Sequence, residues 1–479
     1  MTTENPSVPE LNGASLSGIF LAFCLLMSSV LLLKVPVALA LFAAWFLLML
    51  CGWMLKVPYP SLQAGLMKGI MRGMEGVLII TCVGAVVGSW IAGGIVPTVI
   101  YYGLSLVHPG TFLPIAFLAC ALTSLVTGTS FASVGTVGVA MMGVGAGFEI
   151  PLPYVAGAVI SGAYVGDAIS PLSDTTILSS SLCDVSLIDH VRSMAWVGLP
   201  AGVLVLGGFY LLGMDSAASS QAMQSAQVML SDLDALFVIS PMLLLPLLIT
   251  LGLLMARKPA IPVIAIGAFL GVLCAWWVQG ATPLEAAMSL YQGYSQTLEG
   301  STIGGILSRG GIQSMLPVVV IVIFALGLGG LMESLGVIRS VGNRLSRMVK
   351  GDVSLTLITV TCGFFGSVFG GAAYVSLFTA SAMTRNLYEQ QDIERRVLSR
   401  NCEAGGTLSC PMIPWTSGAV FMAATTGVAT LDYLPYLFYH FAFMAGCLIS
   451  AMTGLVFWKG RRALNSAHSV TTSPLSQEA

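Results

Sequence analysis

The feature that most constrains this chain is a succession of apolar runs, each of roughly 20 residues, over most of its length. A helix of that length crosses the hydrocarbon core of a bilayer. Only 8% of the residues are charged, against about 25% in an average soluble domain. The runs are continuous rather than alternating, which argues against a β-barrel. The sequence therefore predicts an all-α, polytopic membrane protein embedded in a lipid bilayer.

The charges and cysteines argue against several other classes of protein. The net charge is −2, so no basic surface for nucleic acid is indicated. The ten cysteines are scattered without a C-x-x-C pair, and we interpret them as small buried residues rather than disulfides or metal ligands. Neither H-E-x-x-H nor G-x-S-x-G occurs. We therefore predict no enzymatic activity and no cofactor.

Three pairs of similar segments recur at offsets between 238 and 242 residues, in the same order, which predicts an internal duplication. The pairs are GTSF at 128–131 with GSVF at 366–369, SPLSDT at 170–175 with CPMIPWT at 410–416, and GSWIAGGIV at 88–96 with GGLMESLGV at 329–337. The predicted organisation is a tail (1–13), a first repeat (14–214), a polar linker (215–233), a second repeat (234–458) and a second tail (459–479).

Each repeat is predicted to hold five full spans, one of them interrupted, and one re-entrant hairpin. The chain would then have about ten spans and two hairpins. In the first repeat the spans lie near 14–33, 36–55, 76–97, 152–182 (interrupted) and 193–214, with a hairpin at 110–146. In the second they lie near 234–256, 260–280, 313–335, 397–428 (interrupted) and 433–458, with a hairpin at 353–384.

The basic residues predict the orientation of the two hairpins. Segment 353–384 is flanked on both sides by Lys and Arg, which concentrate on the cytoplasmic side of membranes. The flanking residues are Arg339, Arg344, Arg347, Lys350, Arg385, Arg395, Arg396 and Arg400. Segment 110–146 has no basic residue near either end, so we expect it to open outward. Opposite hairpins imply inverted repeats, with both termini in the cytoplasm of a bacterial cell whose inner membrane holds the protein.

Inverted repeats with interrupted helices are the architecture of secondary transporters, whose sites lie where the helices break. The first break falls in YVGDAISPLSDTTILSS, residues 164–180. Pro171 breaks the helix between Asp167 and Asp174, and a carboxylate in a span is rarely present without a task. Hydroxyl side chains surround them: Ser170, Ser173, Thr175 and Thr176. These oxygens suit a hard cation, so we predict Na⁺ at Asp167 and Asp174; alternatively, Asp174 only caps the second helix.

The second break falls in NCEAGGTLSCPMIPWTSG, residues 401–418, where glycines and prolines interrupt the helix around Glu403. Its hydroxyls are Thr407, Ser409 and Thr416. Glu403 either belongs to the site, reaches the cytoplasmic edge or pairs with Arg400. The hairpin turns add further candidates, among them Thr129 and Ser130 in the first and Tyr374 in the second; small residues there could instead serve close helix packing.

Four other polar residues are interpreted as structural. Asp184 and His190 are expected in a solvated cytoplasmic loop and His440 at the membrane interface. Glu333 is expected deep in a span, where it could pair with another group or relay protons.

These motifs resemble the NhaC-type sodium/proton antiporter family. GDAISPLSDTT at 166–176 is similar to that family's signature, and LSRNCEAGGTLSCPMIPWTSG at 398–418 is similar to its later segment. The resemblance covers roughly 14–458 and implies scaffold and transport units with paired re-entrant hairpins. Relatives often carry a second acidic residue where Ala404 stands here. Some members exchange organic acids, such as malate for lactate, together with Na⁺ and H⁺.

The leading hypothesis is a secondary active Na⁺/H⁺ antiporter that exports Na⁺ in exchange for H⁺. The alternative is a Na⁺/H⁺-coupled exchanger of a small organic anion, of the malate/lactate type, or of an amino acid. The helix N-termini at the two breaks could hold a carboxylate, although neither break contains an arginine. A non-transporting membrane scaffold is the third class considered. A homodimer and a monomer both remain open.

Overall fold

The computed structural model describes residues 11–33, 35–217, 220–256, 258–294, 307 and 310–459. The regular secondary structure of these residues is helical, apart from one isolated bridge between Ile393 and Lys459. The predicted tails lie almost wholly outside the described residues. Ten of the described helices are long and apolar enough to cross a membrane, or up to twelve if each of two bent pairs forms one span. The prediction of an all-α polytopic protein with about ten spans is confirmed.

The described residues of the first repeat form ten helices. They are Gly13–Leu32, Val37–Met54, Tyr59–Arg72, Met74–Ala92, Ile95–Leu106, Pro109–Thr127, Ser130–Gly147, Leu152–Ile169, Asp174–Cys183 and Leu187–Ala217. The seventh contains a π-helical turn, Val134–Gly138. We call Pro109–Thr127 with Ser130–Gly147 the first hairpin, and Leu152–Ile169 with Asp174–Cys183 the first broken helix.

The second repeat and the segment before it form twelve described helices. They are Ser220–Leu236, Leu245–Met255, Ala260–Trp277, Pro283–Gln292, Ile312–Ser334, Val337–Ser346, Asp352–Gly370, Ala373–Gln390, Arg395–Gly405, Ser417–Thr426, Thr430–Tyr433 and Phe438–Thr453. We call Asp352–Gly370 with Ala373–Gln390 the second hairpin, and Arg395–Gly405 with Ser417–Thr426 the second broken helix.

Prolines mark where several helices begin. Pro36, Pro58, Pro151 and Pro259 each stand immediately before the first helical residue. Proline fixes its own φ and lacks an N–H, and both properties are tolerated at the start of a helix but not in its interior. The apolar chain is therefore divided into separate helices at these prolines.

Several boundaries differ from the prediction. The predicted span 76–97 ends at Ala92, and a separate helix follows from Ile95. Most of the predicted polar linker is helical, and Met223–Leu236 and Pro241–Met255 meet at a 94° bend, so the predicted span 234–256 begins at residue 241 instead. Three short helices, Tyr59–Arg72, Pro283–Gln292 and Val337–Ser346, were not predicted. They are amphipathic rather than uniformly apolar, so a search for long apolar runs passes over them.

Residues with left-handed backbone conformation fix the register of the predicted duplication. Gly94 corresponds in position to Gly336, Gly128 to Gly371, and Asp184 to Gly427, at offsets of 242, 243 and 243 residues. Each pair stands between corresponding helices in the two repeats. These constant offsets support the duplication; its inversion across the membrane stays a prediction.

Two of the segment alignments proposed from the sequence are out of register. GSVF at 366–369 lies inside a helix, and the turn of the second hairpin is at Gly371, so Gly371 is the counterpart of Gly128. At the breaks, Ser173 and Thr416 precede the second arms, which aligns Pro171 with Pro414 at an offset of 243 rather than with Pro411.

The two repeats meet at the broken helices. The second arm of the first broken helix packs against the second hairpin and against the first arm of the second broken helix. Reciprocally, the second arm of the second broken helix packs against the first hairpin. Glycine allows some of these close approaches: a Cβ on Gly405 would overlap the backbone at Val360. Both breaks are thereby brought to one place in the middle of the fold.

Candidate ion-binding site

A cavity of about 70 Å³ lies where the two breaks and the two hairpin turns meet. The first residues of four helices line it: Ser130, Asp174, Ala373 and Ser417. One water occupies about 10–15 Å³ of such a cavity volume, so the cavity has room for a small ion with a few waters. Polar and aromatic side chains complete the lining: Thr129, Tyr164, Asp167, Thr175, Tyr374, Thr407 and Cys410.

Asp167 is the deepest carboxylate of this cavity, with 5% of its surface exposed. Its Oδ2 accepts hydrogen bonds from Ser130 Oγ at 2.7 Å and from the Ser130 backbone N–H at 3.3 Å. Its Oδ1 accepts from Ser173 Oγ at 2.6 Å. Among the residues that the structure describes, no basic side chain lines the cavity. The negative charge of Asp167 is therefore met by neutral donors, which leaves it free to take up a cation.

The local sequence explains why the helix opens at this point. The Asp167 carbonyl would accept the N–H of residue 171 in a continuous helix, but Pro171 has none. The Thr176 hydroxyl donates to that carbonyl instead, at 3.3 Å. Ser173 occupies the N-cap position of the second arm, yet its hydroxyl makes no cap bond and donates to Asp167. The break thus turns a capping serine into a partner of the buried carboxylate.

Asp174 lies at the outer side of the cavity and is exposed. The Tyr374 hydroxyl, on the second hairpin, donates to Asp174 Oδ2 and so joins the two repeats across the cavity. Asp174 also lines an open vestibule of about 380 Å³ together with Glu75, Thr129 and Lys258. Asp174, like Thr129 and Ile79, therefore lies between the cavity of the buried carboxylate and the vestibule.

Glu403 is close to the cavity but does not line it. It is fully buried, and neither carboxylate oxygen makes a hydrogen bond within the described residues. Thr407, one turn further along, does line the cavity, and its hydroxyl is also unpartnered. The alternatives of an edge position or a pair with Arg400 are wrong, because Arg400 donates to the Val456 carbonyl and to Ser450.

The remaining predicted site residues lie around the cavity rather than on its lining. Ser170 Oγ donates to the Leu125 carbonyl at 2.8 Å and ties the break to the first hairpin. Ser409 Oγ contacts the carbonyls of Gly405 and Gly406. Thr416 accepts from the Ala419 N–H and caps the second arm. These hydroxyls form hydrogen bonds with backbone groups near helix ends, where a hydrogen-bond partner within the helix is missing.

Three expectations about other polar residues are tested by the structure. His190 is fully buried, so its predicted position in a solvated loop is wrong. His440 is also fully buried in the protein, and its position at the membrane interface stays a prediction. Glu333 pairs with Arg72 through two hydrogen bonds, as the alternative of pairing with another group allowed. Asp184 is exposed and pairs with Arg385 and Arg395.

The donor set favours a hard monovalent or divalent cation over a transition metal. The polar side chains that line the cavity carry carboxylate and hydroxyl oxygens, apart from the thiol of Cys410, and such oxygens suit hard cations. Within the described part of the chain, no group of three or more His, Cys, Asp or Glu side chains is arranged to hold a metal ion.

An all-α polytopic fold in which two broken helices and two hairpin turns meet at a buried carboxylate defines a secondary transporter. The chain belongs to the Na⁺/H⁺ antiporter family, whose sequence model matches residues 13–214 and 182–455. The resemblance drawn from residues 166–176 and 398–418 is confirmed.

Relatives that are named for different transport activities are similar to this chain over most of its length. The malate-2H⁺/Na⁺-lactate antiporter of Bacillus subtilis is 41% identical over 441 residues, which cover 92% of this chain and 94% of that protein. The Na⁺/H⁺ antiporter NhaC of Alkalihalophilus pseudofirmus is 35% identical over 427 residues, covering 89% and 92%. The arginine/ornithine antiporter ArcD of Halobacterium salinarum is 33% identical over 410 residues, covering 85% and 84%.

Proposed function

We propose that this protein exchanges Na⁺ for H⁺ across the bacterial inner membrane, exporting Na⁺ as H⁺ enters. The observation that carries the proposal is Asp167, a buried carboxylate at a helix break that faces a cavity and has hydroxyl partners but no basic one. Family membership and the two-repeat architecture support the same reading.

The exchange follows from what Asp167 can bind. Its carboxylate binds either Na⁺, with help from neighbouring oxygens, or H⁺, and both forms are neutral at that group. The empty, charged form costs free energy to move through a low-dielectric barrier. Ions therefore cross only as one replaces the other, which is the requirement for obligatory antiport. Ser130 and Ser173 position the carboxylate, and Asp174 offers a second carboxylate on the path to the vestibule.

The orientation of the site follows from the predicted topology. Glu75 and Lys258, which line the vestibule, lie at the ends of spans that the charge distribution places at the cytoplasmic surface. The described conformation would then be open to the cytoplasm, from which Na⁺ is collected. Both termini are proposed to be cytoplasmic, and no enzymatic reaction is proposed.

Everted membrane vesicles with a pH-sensitive fluorescent dye test this function. Respiration acidifies the vesicle interior and quenches the dye, and added Na⁺ or Li⁺ should restore the fluorescence in vesicles that contain the protein. K⁺ at the same concentration should restore little, because a cavity lined by compact oxygen ligands favours the smaller ions. Vesicles that respond to neither Na⁺ nor Li⁺ would show that the protein is not an antiporter for these cations.

A second candidate is the exchange of a small organic anion coupled to Na⁺ and H⁺. Four helices begin at the cavity, and the N-terminal ends of helices carry partial positive charge that attracts carboxylates. The relative that transports malate and lactate supports this candidate. Labelled malate, lactate, arginine and ornithine offered to proteoliposomes distinguish the two. Uptake of an anion that requires Na⁺ favours the second candidate, whereas Na⁺-dependent proton movement without any organic solute favours the first.

A further inference from the structure

Glu403 has one neighbour that the sequence did not suggest, the imidazole of His190. The two side chains come from the second broken helix and from helix Leu187–Ala217, and both are fully buried. His190 Nε2 lies 4.0 Å from Glu403 Oε1. Nε2 and both carboxylate oxygens are without a hydrogen-bond partner among the described residues. Two titratable groups are thus buried side by side, and the atoms that face each other have no hydrogen-bond partner among the described residues.

The other side of the imidazole ring explains how this pair tolerates two protonation states. His190 Nδ1 lies 2.9 Å from Ser399 Oγ, and that hydroxyl is also 3.1 Å from the Arg396 carbonyl oxygen. The hydroxyl can donate to Nδ1, or it can donate to the carbonyl and accept from Nδ1. In the first arrangement Nε2 carries a hydrogen toward Glu403, and in the second it presents a lone pair. The neutral ring can therefore present an N–H to a charged Glu403 or a lone pair to a protonated Glu403, and neither arrangement requires a change of the backbone.

The free-energy cost of a buried charge favours a bound proton at this position. Burial of an ionised carboxyl group without hydrogen bonds costs far more free energy than burial of the neutral acid. Arg400, in the same helix arm, directs its guanidinium to the Val456 carbonyl and to Ser450 instead. A proton on Glu403 or on His190 Nε2 removes the cost, and the 4.0 Å between the two atoms makes them immediate neighbours although they are not hydrogen-bonded.

We propose that Glu403 and His190 form a second proton-binding site, separate from the cation cavity at Asp167. The path to water leads through Thr407, whose unpartnered hydroxyl lies on the cavity wall one turn from Glu403. A proton that leaves Glu403 passes to cavity water and leaves the carboxylate behind. The other titratable groups that act on Glu403 among the described residues are Asp167, Asp174, Cys183 and Cys402.

This inference rests on the proposed Na⁺/H⁺ exchange and assigns one of its protons to particular atoms. Asp167 and Asp174 are close enough to act on Glu403 electrostatically. While they are unoccupied, their negative charge favours a proton on Glu403. A cation bound at Asp167 neutralises that charge, and the proton at Glu403 is then held less tightly. Binding of Na⁺ in the cavity is thereby linked to release of a proton from the second site.

Calorimetry on the purified, full-length protein measures this linkage. Titration with Na⁺ in two buffers of different ionisation enthalpy gives the number of protons released per Na⁺ bound. Glu403→Gln, which imitates the protonated acid, should still bind Na⁺ but should release about one proton fewer, as proton linkage requires. His190→Gln should reduce the release as well. His440→Gln is the matched control, since His440 is an equally buried histidine whose ring nitrogens are also unpartnered.

Infrared spectroscopy supplies a readout that does not depend on Na⁺. The pH-induced difference spectrum of the wild-type protein should contain a carboxylic-acid carbonyl band that is absent from Glu403→Gln and retained in His440→Gln. The inference is overturned if Glu403→Gln releases as many protons as the wild type and keeps the band. It is overturned equally if a folded Glu403→Gln no longer binds Na⁺, because Glu403 would then belong to the cation site, or if His440→Gln gives the same loss.

The two assays separate this inference from the proposed function. If the wild type neither binds Na⁺ nor moves protons in response to it, the proposed function fails, while a band that disappears in Glu403→Gln would still locate a proton site. If the wild type exchanges Na⁺ for H⁺ and Glu403→Gln leaves both readouts unchanged, only the second proton site is refuted.

Discussion

Replacing Ser173 by alanine tests whether hydroxyl donors prepare Asp167 for a cation. Ser173 is fully buried, and its Oγ lies 2.6 Å from Asp167 Oδ1 and 3.0 Å from Thr175 Oγ1. The substitution removes the only hydrogen bond that Oδ1 makes within the described residues, while Oδ2 keeps its two bonds from Ser130. The change is small in volume, so its main consequence falls on the ionised carboxylate.

The size of the effect follows from the kind of bond that is lost. A hydrogen bond to a charged group contributes about 1.5–3 kcal/mol, and each 1.4 kcal/mol corresponds to about a tenfold change in an equilibrium constant. The ionised carboxylate is the form that binds Na⁺. Ser173→Ala should therefore weaken the apparent affinity for Na⁺ by roughly 10- to 100-fold at constant pH, with a smaller change in the maximal rate.

The assay is Na⁺-dependent proton movement in proteoliposomes, measured over a range of Na⁺ concentrations at fixed pH. Ser170→Ala is the matched control: Ser170 stands in the same break, is equally buried, and donates to the Leu125 carbonyl rather than to Asp167. It should alter stability more than the Na⁺ concentration needed for half-maximal exchange. Equal Na⁺ affinities for the wild type and Ser173→Ala, or the same weakening in both variants, would refute the reasoning.

Two further predictions concern packing and the contact across the cavity. Gly162→Ala should lower the melting temperature, because its Cβ would overlap the Phe117 carbonyl oxygen and overpacking typically costs about 1–3 kcal/mol. Gly202→Ala is the control: no described atom outside its own helix lies within 4 Å of the added Cβ, so this variant should melt like the wild type in the same thermal scan. Tyr374→Phe removes the donor to Asp174 and should raise the Na⁺ concentration for half-maximal exchange about three- to tenfold; an unchanged Na⁺ dependence would show that this contact does not support the site.

The sequence predicted the centre of the site because its signals are strong. An aspartate in an apolar span is costly, and Pro171 removes the N–H that the Asp167 carbonyl would accept. Those two facts place a helix break and a buried carboxylate together without knowledge of the fold. The turn residues Thr129 and Ser130 followed from the glycine that reverses the chain at Gly128.

The partners of the hydroxyl groups could not be predicted. Ser170 and Ser173 are three residues apart in the same break, yet one donates to a backbone carbonyl and the other to Asp167. A serine hydroxyl satisfies either kind of acceptor with similar geometry, so the choice depends on which hairpin packs against the break. The contact of Tyr374 with Asp174 depends in the same way on the meeting of two distant repeats.

The burial of His190 shows the limit of reading a segment by its neighbours. Asp184, Asp189 and Arg192 are exposed or partly exposed, and they make the segment look like a solvated loop. The helix that begins at Leu187, however, turns one face toward Ser399 and Glu403. Sequence reasoning that treated residues 187–192 as the start of a helix would have separated His190 from its charged neighbours.

The central claim is that Asp167 holds Na⁺ and H⁺ alternately, and uptake of radioactive Na⁺ into proteoliposomes tests it most directly. Liposomes with an acidic interior are diluted into an alkaline solution that contains the label. The wild type should accumulate labelled Na⁺ until an ionophore dissipates the pH gradient. Asp167→Asn, although inserted and folded, should accumulate none above protein-free liposomes. Accumulation by Asp167→Asn at the wild-type rate would contradict the account.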